Sequence, residues 1–317
     1  MKLVFLGTSY FAVPVLKFLA EGRHEVVGVI TQPDRPCGRG KRMACSPVKI
    51  IAQELGFPVW QPEKINSPDF LKFLAEISPD ALVVAAYGQI LRLPLLNLAP
   101  LGCINLHASL LPAYRGADPI RWALLKGEKE TGVTVMRMDE GVDTGPIFAM
   151  KKVEIHFSDD CKILTERLSS VGGPLLEDTL SRLENGTIKP KLQRNEGVSM
   201  APRISREMTR INWSESANQI MNRIRALSPT PGAFALLRGK RVQIFRASLW
   251  EDDGVDEEMK KGEPGTIIGV EKEQGIVVKT GKCTALVLHK LRPENRKTLY
   301  HKEFCCGYRI KRGETFE

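Results

Sequence analysis

The sequence predicts an α/β protein, a doubly wound and mostly parallel sheet followed by a small second domain rich in strands. Three observations carry this. Over roughly the first 185 residues, short and almost wholly apolar runs alternate with helical segments, the pattern of parallel strands covered on both faces. Near Gly186 that pattern stops, and beyond it short strands follow at close spacing with glycine turns between them. The chain has 317 residues, more than a single core ordinarily serves. Its 43% hydrophobic and 26% charged residues fit a folded globular protein and exclude a disordered chain.

The elements follow in order. Lys2 to Leu6, Val13 to Ala20 and Val26 to Ile30 read as strand, helix, strand. Ser46-Pro47 and Ser67-Pro68 each place a capping hydroxyl before a proline at the first helical position. Asp80 to Ala86 and Gly102 to Leu106 read as buried strands, completing a Rossmann-like arrangement. Gly132 to Met138 and Pro146 to Ile155 form two further strands around a Gly-Val-Asp-Thr-Gly turn, and a long helix runs from about Asp159 to Glu184. Thr187 to Arg210 has little apolar periodicity, several charges and two prolines, the composition of a linker. Ser214 to Leu227 then sets Ile220, Ile224 and Leu227 on one helical face. Strands follow at 234–237, 242–249, 265–270, 275–279 and 284–291, which suggests a small β-barrel. The expected domains are 1–188, a linker over 189–209, and 210–317.

Charge is unevenly spread. The net charge is +9; residues 1–200 carry 24 basic and 22 acidic side chains, and the last 117 carry 22 and 15. Within the first part, residues 31–50 hold Arg35, Arg39, Lys41, Arg42 and Lys49 against Asp34 alone. Two separate basic regions suggest a polyanion held at two places, with solvated surface charge as the alternative. Seven cysteines with no C-x-x-C pair argue against a disulfide framework and a zinc ribbon, and fit reduced thiols in a cytoplasmic protein. The N-terminus enters its first strand without a cleavage site or presequence, so nothing marks it for export. The uncharged stretch between Arg92 and Arg115 contains three prolines, two asparagines and a histidine, which a membrane helix would not carry unaided.

Gly38-Arg39-Gly40 superficially matches a dinucleotide fingerprint, but no strand leads directly into it and the third glycine is missing. Pro33 to Arg42 reads instead as a mobile loop whose cations suit phosphate contact, or as an ordinary solvated loop. The strongest local signal is Asn105-Leu106-His107-Ala108-Ser109-Leu110-Leu111-Pro112. Asn105 and His107 are two apart at the carboxyl end of an apolar strand, so both side chains leave one face where open α/β sheets place ligands. An amide that stabilises an oxyanion beside an imidazole that moves a proton is what acyl transfer requires. Asp143 is the natural third member, a carboxylate that would orient His107 and favour its charged form. Structural capping is the alternative reading of the pair. His24, His156, His289 and His301 read as surface or packing residues, and no cluster has metal-ligand spacing.

At these residues the chain resembles the methionyl-tRNA formyltransferases, and the likeness spans nearly its whole length. It includes Phe5-Leu6-Gly7-Thr8, Phe11-Ala12-Val13-Pro14, Thr31-Gln32-Pro33-Asp34-Arg35-Pro36, Gly38-Arg39-Gly40-Lys41, Ser46-Pro47-Val48-Lys49 and Gln61-Pro62. It continues through Ala86-Tyr87-Gly88, Ser109-Leu110-Leu111-Pro112, Arg115-Gly116-Ala117, Asp143-Thr144-Gly145, Ile211-Asn212-Trp213 and Pro231-Gly232-Ala233. The resemblance implies formyl transfer from 10-formyltetrahydrofolate to the α-amine of initiator methionyl-tRNA, without a metal, by Asn105, His107 and Asp143. It further implies that Ser109, Leu110, Leu111 and Pro112 form a folate-site segment and that the backbone of Tyr87, Gly88, Gln89, Ile90 and Leu91 holds the pterin. Arg39, Lys41 and Arg42 would reach toward the tRNA acceptor stem. The C-terminal domain would be an OB-like barrel with a positive face for tRNA, and the protein a cytoplasmic monomer with no membrane partner.

The chain departs from the family pattern at Cys37, where alanine is usual, at Asp118, where a small residue is usual, and at Thr230, where an aromatic is frequent. Asp118 is the most consequential, because a carboxylate near the folate segment alters local electrostatics. Another folate-dependent formyltransferase or hydrolase would share the Asn, His and Asp set. Such enzymes usually carry proline at the position of Ala108 and do not need the cationic loop. A catalytically silent RNA-binding protein would bind tRNA without transferring a formyl group.

Overall fold

The computed structural model describes residues 1–37, 42–250, 262–271 and 275–317. They group into two compact units, one of residues 1–119, 130–154 and 164–203, the other of 120–129, 155–163 and 204–317. The chain opens with β1 (Lys2–Gly7), α1 (Ala12–Ala20), β2 (Glu25–Ile30), a short hairpin of β3 (Arg35–Cys37) and β4 (Arg42–Ala44), and α2 (Pro47–Glu54). It continues through β5 (Val59–Trp60), α3 (Pro68–Ile77), β6 (Ala81–Ala85), α4 (Leu93–Leu96), β7 (Cys103–His107) and α5 (Pro119–Lys126). Then follow β8 (Glu130–Arg137), β9 (Ile147–Glu154) and the long helix α6 (Cys161–Glu184).

Seven of these strands form one sheet in the order β5-β2-β1-β6-β7-β8-β9. Its first five strands are parallel, and β8 and β9 continue it antiparallel. The apolar runs dictate this: Leu3 to Leu6 and the whole of β6 and β7 are buried, as strands covered on both faces must be. Strand order reverses between β1 and β6, which opens a crevice at the carboxyl edge beside the end of β7. On one face of the sheet, α6 buries Leu164, Leu168, Leu176 and Leu180. A Cβ at Gly172 would stand 2.6 Å from the Leu106 side chain and one at Gly173 3.0 Å from Phe18, so this pair lets the helix press onto β7 and α1. Ser46 caps α2 as its spacing predicts, with Lys49 N–H donating to its hydroxyl at 3.0 Å; Ser67 makes no cap bond, and α3 starts on Pro68 alone.

In the second unit, α7 (Ala217–Leu227) packs Ile220, Met221, Ile224 and Leu227 against an antiparallel sheet. Its strands are β10 (Ala233–Leu237), β11 (Lys240–Leu249), β12 (Ile267–Glu271), β13 (Gly275–Thr280) and β14 (Thr284–Pro293), in the order β10-β11-β14-β13-β12. A two-residue β15 (Leu299–Tyr300) adds to β14, and α8 (His301–Tyr308) follows. Among the described residues no pairing of β12 with β10 closes the sheet. The last residues touch both edges: Leu236 and Glu317 exchange backbone hydrogen bonds at 2.9 and 2.8 Å, and Phe316 N–H donates to Gly265 O at 2.9 Å.

Several short elements lie outside the sequence expectation, among them β5, α4 and β15. The arms of the loop at 33–42 pair as β3 and β4, while residues 38–41 lie outside the described ones. The helices α5 and α8 have little periodic signal, each being only eight residues long, and α8 buries just Phe304 completely. Residues within the expected linker are hydrogen-bonded to the first unit, Lys191 with Ile147 and Ala201 with Arg115. His24, expected as a surface or packing residue, is buried, and desolvation holds its pKa below the ordinary value. Among the described residues no helix is long and apolar enough to cross a membrane.

The cysteines give a check on this packing. Cys103 is buried in β7, and burial pushes its thiol up to about 12. Iodoacetamide at pH 8 should label the exposed Cys45, Cys283 and Cys306 in the native protein and spare Cys103 and Cys161 until denaturant is added, read by peptide mass spectrometry. Rapid native labelling of Cys103 would contradict the sheet as described.

Candidate active site

Asn105 and His107 project from the last residues of β7, and both are more than nine-tenths buried. Asp143 comes from the turn between β8 and β9 and meets them at the carboxyl edge. Its Oδ2 stands 3.5 Å from His107 Nδ1, and Asn105 Nδ2 donates toward Oδ1 at 3.5 Å. A shorter bond of 2.8 Å from the backbone N–H of Gly116 fixes Oδ2. His107 Nε2 lies 3.0 Å from the carbonyl oxygen of Tyr114. A carbonyl only accepts, so Nε2 carries a hydrogen and Nδ1, facing Asp143, is the nitrogen left to exchange a proton.

The segment after β7 is held by its own polar contacts. Ser109 Oγ donates to Ala113 O at 2.6 Å, and its carbonyl accepts from Thr134 Oγ1 at 2.7 Å. Leu111 N–H donates to that same threonine oxygen at 3.2 Å, and the Leu111-Pro112 peptide is cis. The Tyr87 to Leu91 segment leaves the neighbouring β6. Tyr87 O accepts from Thr8 Oγ1 at 2.7 Å, and the Gln89 amide accepts from Ile65 N–H and donates to Pro62 O. Tyr87 and Leu91 are buried, burial raises the Tyr87 phenol above its ordinary pKa, and Ile90 is exposed. Both segments thus end beside the same crevice, each with its backbone fixed.

At the root of the cationic loop, Asp34 accepts from Lys49 Nζ at 2.6 Å and Gln61 Nε2 at 2.8 Å. The hydrogen bond from Lys49 is the main reason that the Asp34 pKa lies below the ordinary carboxylate range. Arg35 pairs with Glu63 at 2.8 Å. Arg42 lies in β4, whereas Arg39 and Lys41 lie outside the described residues. Among the described residues no group of three or more His, Cys, Asp or Glu could hold a metal ion.

Periodicity and motif reading missed the support supplied by residues 193–201. Ser199 Oγ accepts from Tyr114 N–H at 2.9 Å, Arg115 N–H donates to Ser199 O at 2.9 Å, Ala201 N–H donates to Arg115 O at 2.7 Å, and Asp118 N–H donates to Ala201 O at 3.1 Å. Gln193 bonds to Asp143, Gly145 and Arg115. These contacts are made by backbone and by isolated polar side chains, which leave no pattern in a sequence.

Comparison with known proteins places the chain in a family. The formyl transferase family profile matches residues 1–180, and that of the formyl transferase C-terminal domain matches residues 203–309. The chain is 41% identical over 310 residues to the methionyl-tRNA formyltransferase of Desulfotalea psychrophila, covering 98% of this chain and 94% of the relative. It is 43% identical over 313 residues to that of Syntrophus aciditrophicus, covering 99% and 98%. Among solved structures, a methionyl-tRNA formyltransferase from Clostridium thermocellum matches with a TM-score of 0.56 at 19% identity, over 79% of this chain and 94% of that one. The sugar 3N-formyl transferase WlaRD matches at 0.64 and 20%, over 94% and 99%. HypX from Aquifex aeolicus, solved with tetrahydrofolic acid, matches at 0.65 and 19%, and this chain spans 51% of its length. At such identities the three structures speak to the fold.

Gly116 offers a test of the local architecture. Its φ is +125°, and a Cβ there would stand 2.7 Å from Ala201 O. Gly116→Ala should therefore cost about 1–3 kcal/mol of stability in urea or thermal unfolding, with activity falling as the N–H of residue 116 is displaced from Asp143 Oδ2. A variant as stable and active as the parent would show that the 112–118 segment is not held as described.

Proposed function

The chain belongs to the methionyl-tRNA formyltransferase family of formyl transferases, and from that premise we propose that it transfers the formyl group of 10-formyltetrahydrofolate to the α-amine of initiator methionyl-tRNA. The observation that carries the chemistry is the convergence of Asn105, His107 and Asp143 at the carboxyl edge of the sheet, with a backbone N–H on the carboxylate. Asn105 donates one amide hydrogen toward Asp143 and keeps the second for the formyl oxygen. As the neutral amine adds to the formyl carbon, that oxygen gains negative charge, and a preorganised donor stabilises it. His107, with Nε2 bound to the Tyr114 carbonyl, takes the amine proton at Nδ1, beside the Asp143 carboxylate. The same nitrogen returns a proton to the folate N10 as the carbon–nitrogen bond breaks, so the site ends as it began. Since α-amines titrate at roughly 7.7–8.0, a base at this point is needed near neutral pH.

The donor's place follows from the two anchored segments. We assign Ser109, Leu110, Leu111 and Pro112 to the folate side and the backbone of Tyr87, Gly88, Gln89, Ile90 and Leu91 to the pterin. Fixed peptide groups suit recognition of a heterocycle by hydrogen bonds at little ordering cost. Arg39, Lys41 and Arg42 are assigned to the acceptor end of the tRNA. We read the second unit as an OB-like barrel, closed by the last residues across the β10 and β12 edges, and as the larger tRNA surface. The outward face of β10, β11 and β14 supports this. There Arg241 lies 3.9 Å over the Phe234 ring and Arg292 5.0 Å over Phe245, on the side opposite Val242, Ile244 and Leu291. Guanidinium groups stacked on aromatic rings are held extended to meet phosphates. The protein acts as a cytoplasmic monomer in this reading.

Incubation with initiator methionyl-tRNA and 10-formyltetrahydrofolate should yield N-formylmethionyl-tRNA. Asn105→Ala should lower kcat by about 10²–10³-fold, the usual cost of one oxyanion donor. Absence of product from folded protein would overturn the reading in favour of a silent RNA-binding protein. For the loop, replacing Arg39, Lys41 and Arg42 together by alanine should raise KM for tRNA and flatten the salt dependence of log KM by roughly two to three units of slope, sparing KM for folate. Unchanged tRNA kinetics would remove the loop from the mechanism.

A further inference from the structure

Gln193 lies in a stretch whose composition is that of a linker, yet it is the most fully bonded side chain beside the site. Its Nε2 donates to the carbonyl oxygens of Asp143 and Gly145, both at 2.8 Å. Its Oε1 accepts from Arg115 Nε at 3.1 Å and Arg115 Nη2 at 2.7 Å. A primary amide has two hydrogens and two acceptor lone pairs, and all four are used here. The orientation admits no reversal, because a flipped amide would set its oxygen against two carbonyls and its N–H groups against a guanidinium.

What this amide joins is the core of the proposed chemistry. Asp143 has φ +52°, in the left-handed region, which aspartate tolerates better than most residues with a Cβ but which still costs energy that surrounding bonds offset. Gln193 binds the carbonyl of that residue and the carbonyl two residues on. Through Arg115 it also binds the segment whose next residue, Gly116, donates its N–H to Asp143 Oδ2, and whose preceding residue, Tyr114, receives His107 Nε2. Resting on the function proposed above, we infer that Gln193 is a positioning residue for formyl transfer. It clamps the Asp143 turn to the Tyr114 to Gly116 segment, so that carboxylate, imidazole and backbone donor keep one geometry.

Two substitutions separate this role from mere packing. Gln193→Met keeps the volume and loses every bond; Gln193→Glu keeps the acceptor for Arg115 and loses both donors to the turn. The clamp requires that both lower kcat by about 10–100-fold, the cost of an ångström-scale misplacement, while KM for 10-formyltetrahydrofolate stays within about twofold. If Glu restores the parent kcat, the donors to Asp143 and Gly145 do not matter and the inference fails. If Met retains the parent kcat, it fails outright. A second measurement does not depend on activity: hydrogen exchange at Gly116 N–H should quicken about tenfold or more in Gln193→Met, with unfolding midpoint and global exchange nearly unchanged. Unaltered exchange there overturns the clamp whatever the assay gives, and a parent enzyme that makes no product while the exchange effect appears overturns the functional reading alone.

Discussion

Everything at the carboxyl edge depends on where one carboxylate is held. Asp143 is contacted from three stretches of chain that are far apart in sequence: β7 supplies Asn105 and His107, the segment after it supplies the Gly116 N–H, and residue 193 holds the backbone. The shortest bond to the carboxylate itself comes from a backbone donor, not from either side-chain partner. A peptide N–H cannot titrate or change rotamer, so it fixes the direction of the carboxylate independently of the imidazole beside it. The contacts of the carboxylate with Asn105 and His107 are longer, both 3.5 Å.

The sheet supplies the geometry because its topology leaves it no other place. Reversal of strand order between β1 and β6 separates the chain connections on the two sides and leaves a crevice at the carboxyl ends. β7 is the next strand along, so a side chain at its last residues enters that crevice. The two-residue period of a strand then brings Asn105 and His107 in together. β8 pairs antiparallel with β7, Ile104 opposite Arg137 and His107 opposite Thr134, so the β8–β9 connection leaves beside the start of β7 and folds back along it to bring Asp143 to Asn105 and His107. The burial of β6 and β7 on both faces makes this frame stiff, and the close seat of α6 at Gly172 adds to it.

How much of this was legible in the sequence divides along physical lines. The parallel strands were readable because full burial makes them continuous apolar runs, and Asn105 and His107 stood out because they interrupt such a run at its end. Asp143 was readable from residue type within a glycine-flanked turn. The strap at 193–201 was not, since Gln193 and Ser199 act as isolated polar side chains through hydrogen bonds to backbone and to Arg115, and bury no periodic face. The short helix α8 escaped for a related reason: one fully buried side chain, Phe304, gives no amphipathic period to detect. The contacts of Leu236 with Glu317 and of Gly265 with Phe316 are backbone bonds as well, and side-chain pattern does not encode them.

Charge also changes meaning once partners are known. Residues 31–50 carry five cations in the sequence, yet Lys49 is bound by Asp34 and Arg35 by Glu63. Lys49 serves the loop's root, where Asp34 also receives Gln61, so this pair is a structural anchor and contributes little field outside. The other three cations of this stretch in the sequence are Arg39, Lys41 and Arg42. In the second unit the balance is different. Arg225 hydrogen-bonds to the carbonyls of His156 and Phe157 and Arg223 pairs with Glu215, while Arg241 and Arg292 lie over rings on the outward sheet face. Cations bound to carbonyls keep their charge, whereas those paired with carboxylates cancel it; in sequence the last 117 residues carry 22 basic and 15 acidic side chains. A polyanion is the ligand such a distribution selects, because counterion release rewards many weak phosphate contacts more than one strong one.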